Sequence, residues 1–260
     1  MSDADRHRII TDLLKERPFA SVRDLQEQLG VSAATVRRDI DKLHEIGKAR
    51  KVYGGISASV GPGLSRIAAR SYDENRDRAV EAKRAIAQAA AGLVRDGDSI
   101  IVHAGSTCYH LGLLLARRNV RLYTNSMPLA AYLGENGTCH LTIAGGELHR
   151  EPRIIHDPAA GPPSFFASRF FVGTQGINNE GLLESHPLLT KVISELASCA
   201  DEIVVLADSS KFSIQARNLV LPLSRVSTII VDDGLSDANA KMLEDAGVTI
   251  VIAHPSGNGG

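Results

Sequence analysis

The 260-residue chain has little that would staple it, anchor it or carry it across a membrane. Its three cysteines, Cys108, Cys139 and Cys199, are widely spaced and form no C-x-x-C pair. That pattern argues against a disulfide framework or a zinc site and for a reducing compartment. No apolar run approaches the roughly 18 residues of a membrane span. The charged start MSDADRHRII has no apolar h-region, so neither a secretory signal nor a membrane partner is expected, and a cytoplasmic location is. The glycine loops G-x-G-x-x-G and G-x-x-x-x-G-K-[ST] are missing, which removes the usual support for dinucleotide or nucleoside triphosphate binding. Histidines 103, 110, 140, 149, 156 and 186 form no H-E-x-x-H pair and read as solvated or core residues, so neither a metal nor a cofactor is expected.

Net charge is also nearly absent, at -1. Non-specific polyanion binding is not built on that scale. The charge is unevenly placed, however: residues 1–55 carry eleven Lys and Arg against nine Asp and Glu, and the remainder is net negative. An apolar content of 43% supplies ample core. The length fits two domains at roughly 100–200 residues each.

The basic excess is concentrated in VSAATVRRDIDKLHEIGKARKVYGG, residues 31–55. Val36, Ile40 and Leu43 recur at i, i+4 and i+7, so one helix face is buried and the other is left for contact. Upstream, Asp5 can cap a first helix with an Ile9, Ile10, Leu13, Leu14 stripe that ends at Pro18. Ser21 can cap a second helix whose Val22, Leu25 and Leu29 face inward, Gly30 supplies the turn, Val31 plugs the core, and Ser32 caps the third. Helix, glycine turn, helix is the helix-turn-helix arrangement, whose second helix enters the major groove. Ala33, Ala34, Thr35, Arg37 and Arg38 then approach base edges, with Ser32 beside them in the DNA-binding set, and an Arg fork suits guanine O6 and N7. Lys42 is placed for phosphates. Gly47 ends the helix, and Lys48, Arg50 and Lys51 lie in a β-wing that ends in Gly54-Gly55. Asp39 would be repelled by phosphate and reads as an orienter of neighbouring arginines.

Residues 57–75 lose periodicity and hold Gly61-Pro62-Gly63. They read as a linker, with a short helix near 64–70, between a domain at 1–56 and another at 76–260. Beyond it, β-branched runs at 99–104, 120–124, 140–145, 170–173, 203–208, 227–233 and 248–253 are separated mostly by helical segments. This alternation predicts an α/β domain with a mostly parallel sheet covered on both faces, whose ligands bind at the carboxyl ends of the strands. The loops at those ends hold Gly105-Ser106-Thr107, Asn125-Ser126, Gly145-Gly146, Gln175-Gly176 and Asp208 with Lys211. Glycines and hydroxyls at helix starts suit a phosphate, and Lys211 adds a positive charge.

With these residues in view, the chain resembles the DeoR family of bacterial repressors from about Arg6 to Ala253. Ser32, Thr35, Val36, Arg37, Arg38, Asp39, Gly54 and Gly55 match its winged helix-turn-helix. The runs GST (105–107), TNS (124–126), AGG (144–146), FFVGTQGINNEGL (170–182) and LADSSKF (206–212) match its effector domain. That domain is similar in fold to ribose-phosphate isomerases, amino-sugar-phosphate deaminases and coenzyme A transferases. The resemblance implies a repressor of a sugar or sugar-acid operon, binding operator DNA as a homodimer or homotetramer. It also implies a phosphorylated sugar or sugar acid as effector, with Ser106, Thr107 and Lys211 as anion contacts. Asn125, Ser126, Gly146, Gln175 and Asp208 would line the remainder. The chain departs from the family at Cys108, where many members carry a further hydroxyl. GSTCYHLG, NSMPLAAYL and HREPRIIHDP resemble the branch that controls L-ascorbate utilisation, which implies ascorbate 6-phosphate or a related ketosugar phosphate. The alternative is a sugar-phosphate isomerase or deaminase-like enzyme carrying a DNA-binding head, with Asp208, Glu184 and Glu147 as bases.

Overall fold

The computed structural model describes residues 3–16, 19–46, 48–52, 55–58 and 78–254. The chain divides into two units, Met1–Ser65 and Arg66–Gly260. Gly47, Gly54 and the expected linker helix near 64–70 lie outside the described residues.

In the first unit the sequence signals for helix ends operate as local chemistry. Helix α1 spans Asp3–Glu16, strand β1 Phe19–Ser21, α2 Val22–Leu29 and α3 Ala33–Glu45. Ser21 and Asp24 form a reciprocal capping box at the start of α2, Gly30 ends it at φ 64°, and Ser32 caps α3 through the Thr35 N–H. Asp5 lies inside the first turn of α1 instead of capping it, because the helix is already under way at Asp3. A carboxylate there still faces the positive end of the helix dipole. Ile10, Leu13, Leu14, Leu25, Leu29, Val36, Ile40 and Leu43 close one core, with Val22 and Val31 packed at its edge.

The wing is β2 (Ala49–Val52) paired antiparallel with β3 (Gly55–Ala58), so the first two residues assigned to the linker belong to it. Strand β1, which periodicity does not reveal at three residues, pairs with the far side of β3. Gly55 is required there: a Cβ would lie 2.1 Å from the Ala20 carbonyl oxygen.

The second unit is built on seven parallel strands. They are β4 (Ser99–Val102), β5 (Arg121–Thr124), β6 (His140–Ile143), β9 (Ala167–Val172), β12 (Ala200–Leu206), β14 (Thr228–Asp232) and β15 (Thr249–Ala253), in the order β15-β14-β12-β9-β4-β5-β6. Alternate residues feed opposite cores. Ile101, Phe170, Val172, Ile203 and Val205 face one side, with helices α7 (Pro187–Ala197) and α8 (Asp237–Asp245). Ile100, Val102, Phe171, Val204 and Leu206 face the other, with α4 (Val80–Leu93), α5 (Ser106–Leu115) and α6 (Met127–Asn136). Both faces are therefore covered, as near-continuous apolar strands require. Two additions were not visible as patterns. One is the hairpin β7 (Glu147–His149) with β8 (Ile154–His156). The other is a small antiparallel sheet of β10 (Gly176–Ile177), β11 (Gly181–Glu184) and β13 (Asn218–Pro222).

Helix α3 is fixed by a buried ion pair. Asp39 is 1% exposed and accepts from Arg6 Nε at 2.7 Å and Nη2 at 3.0 Å, with His7 Nε2 at 3.1 Å. The expectation that Asp39 orients neighbouring arginines is corrected in its partner: the carboxylate faces α1, 33 residues earlier, and ties that helix to α3. Removing one member of a buried pair leaves the other uncompensated. Asp39→Asn is expected to lower the thermal midpoint of the full chain and weaken DNA binding with Arg37 and Arg38 intact. Asp41→Asn, which breaks an exposed pair, should stay within about 0.5 kcal/mol of wild type in chemical denaturation.

Candidate functional site

The amino-terminal half of α3 presents the candidate DNA face. Arg37 and Arg38 are exposed, and neither has an ion-pair partner among the described residues. Ser32 Oγ lies 3.0 Å from Thr35 Oγ1 and accepts the Thr35 N–H at 3.3 Å, so both hydroxyls already serve the cap. Ala33 is half-buried beside them. Lys42 Nζ donates to Asp3 at 2.9 Å, and Lys51 Nζ donates to Asp41 at 2.6 Å. Hydrogen bonding from Lys42, then from Arg6, holds the Asp3 carboxyl down at about 2. Phosphate at Lys42 or Lys51 must therefore displace a carboxylate, whereas Arg37 and Arg38 need not exchange an ion pair. Lys48 is exposed, and Arg50 lies in β2 opposite Ser57.

In the second unit the chain leaves β4 toward β5 and β6, and leaves β9 toward β12, β14 and β15. Adjacent strands departing in opposite directions open a crevice at their carboxyl ends, where such sheets bind ligands. On the β4 side, Gly105 starts α5 with no side chain to cap it, and Ser106 and Thr107 are buried in the first turn. On the β9 side, Gln175 Oε1 accepts the Ser185 N–H at 2.9 Å, and the Gln175 N–H donates to Glu184 Oε1 at 3.0 Å. After β12, the Ser210 hydroxyl donates to buried Asp208, and Lys211 sits in the turn Ser209–Ser213. Asp232, unremarked in the sequence, holds that turn by accepting the Ser209 N–H at 2.6 Å and hydroxyl at 2.9 Å.

Glu184, a candidate base in the enzyme alternative and absent from the expected effector contacts, joins this group. Burial pushes its carboxyl up to about 7, against the pull of the Lys211 charge and of the Gln175 and Ser185 N–H groups. Gln175 is bonded to Glu184, whose carboxyl also feels the charge of Lys211, and Asp208 lies three residues before Lys211 in the chain.

A second set gathers at the ends of β5 and β6. Asn125 is 2% exposed; its Oδ1 accepts the Ala104 N–H at 3.1 Å and lies 3.0 Å from His103 Nδ1. The backbone donor fixes the oxygen toward Ala104, so His103 Nδ1 carries the proton. Burial lowers the His103 imidazole to about 4, which keeps it neutral. Ser126 caps α6 through the Leu129 N–H at 3.4 Å. Gly145 joins Asn125 in lining a cavity, while a Cβ on Gly146 would lie 2.5 Å from the His156–Asp157 backbone. Gly176 is similarly pressed on the Ile214 carbonyl at 2.4 Å. Close backbone packing therefore accounts for both of these glycines. Cys108 is fully buried with its thiol toward the Phe171 carbonyl, and burial raises it to about 12. The departure from the family pattern thus falls in the core.

Among the described residues no cluster of three or more His, Cys, Asp or Glu could hold a metal ion, and no helix is long and apolar enough to cross a membrane. Asp232 escaped the sequence reading because its partner, Ser209, lies on another element, while His103 and His156 are buried, within the solvated-or-core reading given to them. A carboxylate closing the conspicuous run FFVGTQGINNEGLLE was the one available signal for Glu184.

The Glu184 shift has a definite sign. Between about pH 4.5, where a free Glu titrates, and about 7, the folded chain binds more protons than the unfolded one. Its contribution to stability is full below that window and is lost as pH rises through it. Glu184→Gln, which stays neutral, should flatten this part of the thermal-midpoint profile. An unchanged profile between pH 5 and pH 7.5 would assign the proton elsewhere.

Residues 6–59 match the DeoR-like helix-turn-helix domain, and residues 78–233 match the DeoR C terminal sensor domain. The chain is 32% identical over 257 residues to the HTH-type transcriptional regulator UlaR of Shigella dysenteriae serotype 1, covering 96% of this chain and 99% of that protein. The same identity and coverage hold for UlaR of Escherichia coli strain K12 / DH10B. Among solved structures, ribose 5-phosphate isomerase A from Neisseria gonorrhoeae is similar at 18% identity and a TM-score of 0.34, over 50% of this chain and 52% of that one. A likeness of that size carries no functional argument. The paired domain matches and the full-length relatives give the conclusion: this chain belongs to the DeoR family of helix-turn-helix transcriptional regulators.

Proposed function

We propose that this protein represses a sugar or sugar-acid catabolic operon and that a phosphorylated sugar, bound at the sheet's switch-point crevice, sets its grip on operator DNA. The observation that carries the reading is the crevice itself: an uncapped helix start at Ser106 and Thr107 on one side, and Lys211 with Asp208 and Gln175 on the other. Backbone N–H groups at a helix start and one lysine suit a phosphate, while the carboxamide and carboxylates suit sugar hydroxyls. Ascorbate 6-phosphate is the favoured effector, supported by likeness to the ascorbate branch over GSTCYHLG, NSMPLAAYL and HREPRIIHDP.

Operator reading requires paired heads, because one head makes a small interface, so a homodimer or homotetramer acting in the cytoplasm is part of the proposal. The effector works by differential affinity for two arrangements of those heads. We read the chain as non-enzymatic, since its full-length relatives are named as regulators and no paired-carboxylate motif demands catalysis.

Arg37→Ala should cost roughly 1–3 kcal/mol of operator affinity and relax base preference, read by gel-shift titration against single-base operator variants. Unchanged affinity would remove Arg37 from the base-reading set. Lys211→Ala should leave operator affinity intact and shift the ascorbate 6-phosphate release curve to higher concentration. An unaltered dose response would rule out Lys211 as the anion contact.

A further inference from the structure

The cavity at the ends of β5 and β6 has about 360 Å³ of space, within the ordinary range of small-ligand sites. Two of its lining side chains carry a buried polar atom with no hydrogen-bond partner: Asn125 Nδ2 and His156 Nε2. Their residues are 2% and 7% exposed. Buried polar atoms normally find partners, and an unmade hydrogen bond is costly. The Asn125 amide cannot turn to relieve its donor, because Ala104 N–H and His103 Nδ1–H both need its oxygen. A ligand oxygen in the cavity would satisfy it.

The lining also selects the kind of ligand. Asp157 and Glu195 contribute carboxylates, and among the described residues no lysine or arginine lines the space. Lys191, which pairs with Glu195 at 3.7 Å, is not part of the lining. Lys191 is held by Glu195 and by the Pro158 carbonyl at 3.2 Å, so a phosphate here would face two carboxylates with no cation in the lining itself, whereas hydroxyls can donate to both. The β7–β8 hairpin forms one wall and is joined to the junction between β5 and α6 by main-chain bonds, Ile155 N–H to Asn125 O at 2.8 Å and Met127 N–H to Arg153 O at 3.0 Å.

We propose that this cavity holds the uncharged, hydroxyl-bearing end of the effector, gripped by Asn125 Nδ2 and His156 Nε2, and that the phosphate stays outside it. The proposal rests on the sugar-phosphate reading above and adds the direction in which the sugar lies. It also gives the hairpin a role in recognising the sugar.

The test is titration calorimetry of the full chain with L-ascorbate 6-phosphate, D-ribose 5-phosphate and inorganic phosphate, each against two variants. His156→Phe replaces the unpartnered nitrogen with an apolar ring and should melt no lower than wild type. Ala160→Phe adds bulk at an exposed lining position and leaves the Asn125 and His156 side chains themselves unaltered. Both should weaken whichever sugar phosphate binds wild type by about tenfold or more, the scale of one well-placed hydrogen bond in a dry site, and leave inorganic phosphate unchanged. Wild-type sugar-phosphate affinity in a folded variant would overturn the proposal and leave the effector reading standing. Equal loss of inorganic phosphate would overturn it by putting the phosphate in the cavity. If neither sugar phosphate binds wild type, this proposal and the effector reading fall together. Should His156→Phe fail to fold, Ala160→Phe decides.

Discussion

All seven strands of the central sheet run in one direction, and the chemistry of the second unit follows from that constraint. Parallel pairing forces every connection to cross over a face, so both faces are covered by helices and the central strands are apolar on both sides, while the edge strand β6 is largely exposed. Polar side chains are then admitted mainly where strands end. The carboxyl ends all lie on one edge, where the chain turns from strand to helix, so Ser106, Asn125, Gln175 and Asp208 are gathered there by topology. The reversal of direction between β4 and β9 divides that edge into two groups. One is centred on Asn125 and the other on Glu184 with Lys211.

Much of this was legible because it is local. Caps at Ser21 and Ser32, the turn at Gly30 and the i, i+4, i+7 stripe of α3 are each decided by neighbours within a turn or two. The parallel strands announced themselves as β-branched runs. What escaped depends on residues far apart in sequence. Nothing in RRDID says that Asp39 pairs with Arg6, and nothing in a three-residue segment says that β1 will add to the wing. The loop glycines were ambiguous for a different reason. A glycine that admits a ligand and a glycine that admits another backbone look alike in sequence, and Gly146 and Gly176 are packed against backbone.

The head shows the same interplay of charge and geometry on a smaller scale. Its excess of positive charge is modest, and part of it is already satisfied: Asp3 and Asp41 occupy Lys42 and Lys51. Binding DNA at those lysines is an exchange of one anion for another, which moderates sequence-independent attraction. Arg37 and Arg38 stand outside that exchange, on a helix whose pose is set from below by a buried carboxylate. On the proposed reading, attraction to any duplex and reading of a particular one would fall to different residues.

Asn125 is bonded in three directions: its side chain to the end of β4, its carbonyl to β8, and its neighbour Ser126 to the start of α6. Its backbone is pinned by the bond to β8, and replacing the side chain would strand the buried Ala104 N–H and His103 Nδ1–H without their acceptor. The segment 158–164 on the opposite wall, mostly at the surface, carries fewer such obligations. On the proposed reading of the cavity, divergence in ligand preference among descendants of this chain would accumulate in that outer loop, while the asparagine opposite stays as it is.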